Sequence, residues 1–122
     1  MALFIKQVGF AVAGIKIFFY NERNGKIQAC IALAAIVLGS VLQIKKPEWC
    51  IVILCIAIVL GAEMVNTALE KLCNLVCSEY HPAIKVIKDV SAGAVLLCSV
   101  MAAIVGLLIF VPYLYYLVQQ RA

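Results

Sequence analysis

Three long apolar runs dominate the sequence, and polar residues enter them mainly at their ends or along one face. The runs cover residues 27–44, 49–70 and 90–111. A helix needs roughly 20 mostly apolar residues to cross a bilayer. The pattern therefore predicts an all-α membrane protein with three transmembrane helices, in which residues 1–122 form one domain.

Short polar segments separate these runs. Residues 45–48 predict a tight polar turn, and Trp49 follows it in the position of an interfacial anchor. Residues 77–83 predict a second polar turn, in which Pro82 marks a break between helices. Pro112 is expected to end or kink the third span. Three tyrosines then form an aromatic belt: Tyr113, Tyr115 and Tyr116.

The segment before the first span has a different pattern. On a helical wheel of residues 3–20, Lys6, Ala13, Lys16 and Tyr20 fall on one side and large apolar residues elsewhere. This predicts an amphipathic helix lying in the membrane interface. An ordinary packed N-terminal helix is the alternative. We do not expect a cleaved signal peptide here, because the usual order of its regions is missing.

Composition strengthens the membrane prediction. Of the 122 residues, 66% are hydrophobic and 13% charged, whereas a soluble domain is about half apolar. The apolar surplus must face lipid, and a chain this small buries little private core, so we expect an oligomer. The net charge of +4 includes no polybasic run, which argues against a nucleic-acid partner.

The distribution of Lys and Arg predicts the topology. Seven of these residues would lie on one side of the membrane and three on the other. The richer side normally faces the cytoplasm. We therefore expect the N-terminus and the loop between spans two and three inside a bacterial cytoplasmic membrane. The two groups are Lys6, Lys16, Arg23, Lys26, Lys71, Lys85 and Lys88, and Lys45, Lys46 and Arg121.

A polar stripe runs along the second span. Glu63, Asn66, Glu70, Asn74 and Cys77 fall within about 80° of one another on a helical wheel. Charged residues inside a membrane segment are costly and usually functional. The alternative is a polar seam that only joins helices, as amides and hydroxyls do in membranes. That alternative does not explain two carboxylates on one face, which repel each other without a cation or proton.

The start of the third span carries complementary charges. Lys85, Lys88 and Asp89 lie there, on a face that continues through small residues. Small residues allow a neighbouring helix to approach closely, so this face is expected to point inward. A solvated helix end is the alternative reading of the charges. The small residues are Ala92, Ser99, Ala103 and Gly106.

Nucleotide binding cannot use a Walker loop in this chain. Gly9 and Gly14 have the separation of one, but Ile15 stands where its lysine belongs. Carboxylates, lysines and Mg²⁺ on helices would have to bind the phosphates instead. Glu22, in the polar segment before the first span, could meet Glu70 and hold a divalent ion; an ordinary solvated loop is the alternative.

The polar positions resemble a known family signature. Residues 63–70, 79–81 and 85–92 resemble the motif of the prokaryotic diacylglycerol kinases, a family that includes undecaprenol kinases. Residues 21–24 resemble the acidic segment that precedes the first span in that family. The resemblance covers nearly the whole chain. It implies a homotrimer with a surface helix and three spans per subunit, and active sites shared between subunits at the cytoplasmic interface.

The same resemblance implies roles for individual residues. Glu63 matches the general base and Asn66 a site-orienting amide, both catalytic. Glu22 and Glu70 match the Mg²⁺ ligands beside ATP, and Lys88 matches a phosphate contact. Positions near the nucleotide are matched by Glu79, His81 and Asp89. The lipid substrate is expected to contact Glu63 and Lys6.

Two departures leave the lipid acceptor open. Asn74 stands where many diacylglycerol kinases carry an aspartate, and Gln28 stands where some carry a glutamate. The run at residues 22–27 looks closer to the undecaprenol-kinase branch. We expect an ATP-dependent kinase that makes phosphatidic acid from diacylglycerol, with undecaprenol as the alternative acceptor.

Two other classes remain as rivals. A small proton-coupled exporter would also use an intramembrane glutamate, but it would not need Glu70, Lys88 and Asp89 grouped at one membrane surface. A structural or pore-forming membrane peptide would not need the carboxylates. ATP consumption that depends on a lipid alcohol separates all three classes.

Overall fold

The protein consists of four consecutive α-helices. In the computed structural model, which describes residues 1–120 apart from the Ala2 side chain, α1 covers Ala2–Asn21, α2 Arg23–Leu42, α3 Lys46–Val76 and α4 Pro82–Gln119. The prediction of an all-helical membrane protein is confirmed, because each helix is long and apolar enough to cross a bilayer. That includes α1, so its location on the membrane surface stays a prediction. Arg121, which the charge count used, lies outside the described residues.

A single extended residue joins α1 to α2. Glu22 has φ −95° and ψ 132°, and its N–H donates to the Phe18 carbonyl at 3.3 Å. Gly25 packs against the same turn: a Cβ built on it would lie 2.2 Å from the Phe18 carbonyl oxygen. The close approach needs glycine, since any side chain at position 25 would meet backbone that cannot move aside. Glu22 is thereby held at the elbow between the two helices.

The first predicted span begins four residues too late and ends two residues too late, because α2 covers Arg23–Leu42. Gln43 adopts the left-handed conformation, with φ 52° and ψ 47°. The N–H of Ile44 donates to the Gly39 carbonyl at 3.2 Å, which closes the helix in a Schellman-type cap. Apolar residue type alone could not show this stop. The tight turn predicted at 45–48 is also wrong in extent, since Lys46–Glu48 already belong to α3.

A hydrogen-bonded corner ties this turn to the end of α4. Glu48 Oε2 accepts from the Lys45 backbone N–H at 2.7 Å and from the Tyr113 hydroxyl at 2.6 Å. The buried cluster beneath the corner consists of Leu42, Ile44, Val52 and Ile109.

Pro112 was expected to end or kink the third span, and it does not end α4. The helix continues through Pro112 to Gln119. Proline removes one backbone donor from a helix, but the contacts of Phe110 and Tyr113 with the core cluster bracket the site and stabilise the helical path. At the other end, Pro82 begins α4 behind the cap residue His81, so the second polar connection is residues 77–81.

Helices α3 and α4 form the principal packed pair, α2 contacts both, and α1 packs mainly on α2. The buried set is small, and most large apolar side chains are exposed. Exposed apolar residues on every helix are what a bilayer requires, since lipid replaces a private core. Of the polar stripe, Glu63 and Asn66 lie between these helices, whereas Glu70 and Asn74, nearer the end of α3, are exposed.

The α1–α2 elbow yields a prediction. Gly25→Ala should destabilise the protein by about 1–3 kcal/mol, as overpacking of a tight site does, because the new methyl group would collide with the Phe18 carbonyl. Thermal unfolding in detergent should show the loss. Gly9→Ala in α1 is the matched control, since a Cβ there meets nothing within 4 Å. Equal effects of the two variants would contradict the tight contact.

Candidate active site

Glu63 is the one buried charged residue among the described residues, with 6% of its surface exposed. It lies on α3, and its Oε1 accepts from the Gln28 Nε2 of α2 at 3.4 Å. Its Oε2 is buried and has no hydrogen-bond partner among the described residues. Buried polar atoms are nearly always satisfied in folded proteins. An unpartnered carboxylate oxygen is therefore a candidate acceptor for a substrate proton.

Asn66 lies one turn further along α3 and connects to α4. Its Oδ1 faces the Ser91 hydroxyl at 2.6 Å, and the same hydroxyl lies 3.0 Å from the Lys88 carbonyl. A hydroxyl has one hydrogen, and the shorter contact is the one to Asn66. Because this bond occupies the Asn66 carbonyl, the amide N–H₂ is the group that remains to act as a donor.

Lys88 also spans the two helices. Its Nζ donates to Asn74 Oδ1 at 3.0 Å. An amide oxygen holds an ammonium group without neutralising it, so the positive charge of Lys88 is retained at this end of the stripe. Asn66 and Asn74, two turns apart on α3, thus each form a hydrogen bond with a residue of α4, Ser91 and Lys88 respectively.

Glu22, at the α1–α2 elbow, contacts α3 beside the stripe. Its Oε1 forms an ion pair with Lys71 Nζ at 2.8 Å. Lys71 follows Glu70 directly, but successive residues of an α-helix point about 100° apart, so this ion pair brings Glu22 to α3 beside Glu70 and not onto the same face, and Glu70 itself is exposed. The predicted partner of Glu22 was Glu70; the contact formed is with the adjacent lysine.

The other predicted site residues lie around this cluster or away from it. Asp89 pairs with Lys85 on α4, and His81 Nδ1 accepts from the Ala83 N–H at 3.2 Å as the cap of that helix. The side chains of Glu79 and Lys6 are exposed, Glu79 in the 77–81 connection and Lys6 on α1. Of the predicted site residues, the structure therefore brings Glu63, Asn66 and Lys88 into contacts between helices. Glu70, Asp89 and Lys6 are exposed.

Three residues near the stripe had no predicted role: Gln28, Lys71 and Ser91. One signal for Gln28 was present in the sequence. Gln28 follows Glu22 by six residues and Glu63 precedes Glu70 by seven, which are axial separations of about 9 and 10.5 Å. Helices α2 and α3 are antiparallel. If Glu22 and Glu70 lie at the same height along them, Gln28 and Glu63 also lie at one height, about 10 Å further into the helices.

Apolar spaces flank the polar seam on two sides. A cavity of about 300 Å³ lies between α2, α3 and α4, with Gln28 at the end nearest Glu63 and mainly apolar walls beyond it. A more open groove of about 540 Å³ runs along α3 and α4, and both Asn66 and Ser91 line it. An apolar chain could therefore approach the seam from within the membrane.

Several known proteins are similar in sequence to this chain over most of its length. The sequence profile of the family described as prokaryotic diacylglycerol kinase matches residues 9–110. An undecaprenol kinase of Bacillus subtilis is 37% identical, over 91% of this chain and 90% of its own. A diacylglycerol kinase of Synechocystis is 35% identical, over 84% of this chain and 59% of its own. A diacylglycerol kinase of Escherichia coli is 27% identical, over 82% of each chain.

Proposed function

This chain belongs to the prokaryotic diacylglycerol kinase family and is a lipid kinase, and we propose that it phosphorylates undecaprenol with Mg²⁺ and ATP. The observation that carries the chemistry is Glu63, a buried carboxylate with one unpartnered oxygen on a membrane helix. Neither the exporter nor the pore-forming alternative accounts for the family match. The family and the apolar helices identify a bacterial membrane protein; a cytoplasmic location of the site follows from the charge count and is part of the proposal.

The choice of acceptor rests on the relatives. The undecaprenol kinase matches nine-tenths of both chains, whereas the chain spans only 59% of the Synechocystis diacylglycerol kinase. The resemblance had put diacylglycerol first, and this comparison reverses the order in our proposal. Diacylglycerol stays the second candidate, because the other relatives in the comparison are diacylglycerol kinases. Both molecules present a primary hydroxyl on an apolar body, and the spaces beside the seam suit either.

We assign proton transfer to Glu63. The lipid oxygen attacks the γ-phosphorus of ATP, the bond to the β-phosphate oxygen breaks, and ADP leaves with that oxygen. The hydroxyl proton passes to Glu63 Oε2. A carboxylate general base must lie within hydrogen-bond reach of the proton that it accepts, and Oε2 has no competing partner among the described residues. Asn66, whose carbonyl is occupied by Ser91, orients the substrate through its amide N–H₂.

The phosphates are assigned to the outer end of the seam. Lys88 retains its charge beside Asn74 and would contact the γ-phosphate, which gains charge-stabilising contacts in the transition state. Asp89, Glu79 and His81 are proposed to border the nucleotide, and Lys6 the lipid head. The first three roles rest on the family motif alone, and Lys6 lies before the residues 9–110 that the family profile matches.

The donor set fits Mg²⁺. This ion takes oxygen ligands from one or two carboxylates together with phosphates. Glu22 and Glu70 are the carboxylates that the family motif offers, and Glu22 contacts Lys71, the neighbour of Glu70 in sequence. No cluster of three or more His, Cys, Asp or Glu side chains occurs within residues 1–120, so the phosphates would complete the shell. When bound, the ion would neutralise charge on the transferring phosphoryl group.

A homotrimer is also proposed. One chain buries few residues and leaves Glu70, Asn74 and the charged start of α4 exposed. A chain that buries so little of its surface is expected to be covered by neighbouring copies, which would enclose the face that carries the site. The pairs Glu22–Lys71, Gln28–Glu63 and Ser91–Asn66 all form within one chain. We therefore assign these residues to the same chain of any site that neighbouring subunits share.

The general-base role predicts the behaviour of Glu63→Gln. The amide has the size of the carboxylate but cannot accept the proton, so turnover should fall by about 10²–10⁴-fold, the usual contribution of general base catalysis. ATP binding and thermal stability should stay close to wild type. Turnover near that of wild type in bilayers would remove Glu63 from the base role.

The metal assignment predicts a shift in Mg²⁺ dependence. Glu22→Gln and Glu70→Gln should each raise the Mg²⁺ concentration needed for half-maximal activity, because each removes one charged ligand. Glu48→Gln is the control, since that carboxylate lies at the opposite end of α3. A titration in which the Glu22 and Glu70 variants match wild type would exclude these residues from the metal shell.

The acceptor assignment predicts the outcome of one competition assay. With undecaprenol and diacylglycerol offered in the same mixed micelles, we expect a higher kcat/KM for undecaprenol. The measurement is transfer of labelled γ-phosphate, with the lipid products separated. Faster phosphorylation of diacylglycerol would select the second candidate, and ATP use without either product would reject the lipid kinase assignment.

The trimer proposal predicts the result of mixing variants. Cross-linking in mild detergent should give three subunits. Mixed oligomers of Glu63→Gln and Glu22→Gln should stay inactive, because both residues of a site come from one chain and every chain in the mixture carries one of the two changes. Restored activity well above either variant alone would show that neighbouring subunits supply Glu22 and Glu63 to one another.

A further inference from the structure

Gln28 is the one polar group that the structure places directly against the buried carboxylate among the described residues. Its Nε2 lies 3.4 Å from Glu63 Oε1, a contact between α2 and α3 across 35 positions of sequence. This is long for an amide donor, whose usual distance is about 2.9–3.0 Å. Hydrogen bonds around catalytic groups are often long before substrate binds and shorten in the complex.

The chemistry of the two groups determines which end of the amide faces Glu63. Turned the other way, the Gln28 carbonyl oxygen would meet a carboxylate oxygen, and two acceptors repel. An ionised carboxylate only accepts, whereas the amide nitrogen only donates. The N–H₂ group must therefore point at Glu63, and it does so with a neutral side chain that adds no second charge inside the membrane.

The apolar surroundings of Gln28 favour the side-chain conformer that makes this contact. The same side chain lines the cavity between α2, α3 and α4, where its neighbours are mainly apolar, such as Ile31, Val59 and Leu60. An amide in such surroundings gains most from bonding to the nearest charge, since an unpaired polar group is costly there. The cavity thus favours the conformer in which Gln28 reaches Glu63.

We propose that Gln28 is a positioning residue for the phosphoryl transfer: its amide holds Glu63 Oε1 and thereby presents Oε2 to the lipid hydroxyl. The two carboxylate oxygens are then unequal, one engaged by α2 and one free in a buried site. A carboxylate held at one oxygen has fewer orientations to lose when the substrate arrives, which favours a reactive geometry. The inference rests on the proposed role of Glu63 and adds a residue that no part of that role required.

Gln28→Met tests it, because methionine is unbranched and of similar length but cannot donate. We expect kcat to fall about tenfold, the effect of losing one hydrogen bond to a charged group, with KM for ATP unchanged. Ser99→Ala is the matched control: Ser99 lines the same cavity from α4. A variant Gln28→Met with wild-type kcat would overturn the proposal. So would a fall accompanied by equal losses of ATP affinity and thermal stability, which indicates a structural role.

A double-mutant cycle with Glu63→Asp separates a positioning role from a purely structural one. It compares the loss of kcat caused by Gln28→Met in the wild-type and Glu63→Asp backgrounds. The aspartate side chain is one methylene shorter and lies beyond reach of the amide, so Gln28→Met should cost little more in that background. Effects that couple are non-additive, whereas independent effects multiply. The same tenfold loss in both backgrounds would overturn the proposal. The Glu63→Gln variant separates the two levels: if it stays active, the base assignment fails, and if it is inactive while Gln28→Met is normal, only the positioning role fails.

Discussion

A carboxylate enclosed among membrane helices is the feature on which the rest of this structure depends. Insertion scales assign a charged residue near the middle of a membrane helix about 2.5–3.5 kcal/mol. Glu63 is 6% exposed and is contacted by one neutral donor, Gln28. The helices around it therefore have to supply orientation without neutralising the charge. This explains why amides and a hydroxyl, rather than lysine or arginine, occupy the inner end of the seam.

The seam changes character along α3 in the direction of the membrane surface. Near Glu63 the partners are neutral, at Asn66 a serine hydroxyl joins α4, and at Asn74 the ammonium of Lys88 joins it. Fully charged pairs occur at the outer end, at Lys71–Glu22 and Lys85–Asp89. A polar gradient of this kind suits a reaction that brings a highly charged phosphate donor to an alcohol within lipid, because each reactant meets surroundings of its own polarity.

The opposite end of the molecule acts as its anchor. The left-handed residue Gln43 turns the chain sharply, and Glu48 connects the start of α3 to Tyr113 near the end of α4. Few apolar residues are buried elsewhere. With α3 and α4 fixed at this corner, the relative height of the two helices is set, and the register of the Asn66–Ser91 and Asn74–Lys88 pairs follows from it.

The sequence by itself indicated the class of the protein and most of the candidate site residues. Apolar runs of sufficient length must be helical in a membrane, since every backbone group has to be satisfied within its own segment. The spacing of Glu63, Asn66 and Glu70 placed them on one face of α3, because helical periodicity is local. Tertiary structure decided what pattern could not: that α2 stops at Leu42, that α4 runs through Pro112, that Glu22 pairs with Lys71, and that Gln28 meets Glu63. Each of these depends on a contact between segments distant in sequence, and a one-dimensional pattern carries no information on which faces of two helices meet or at what height.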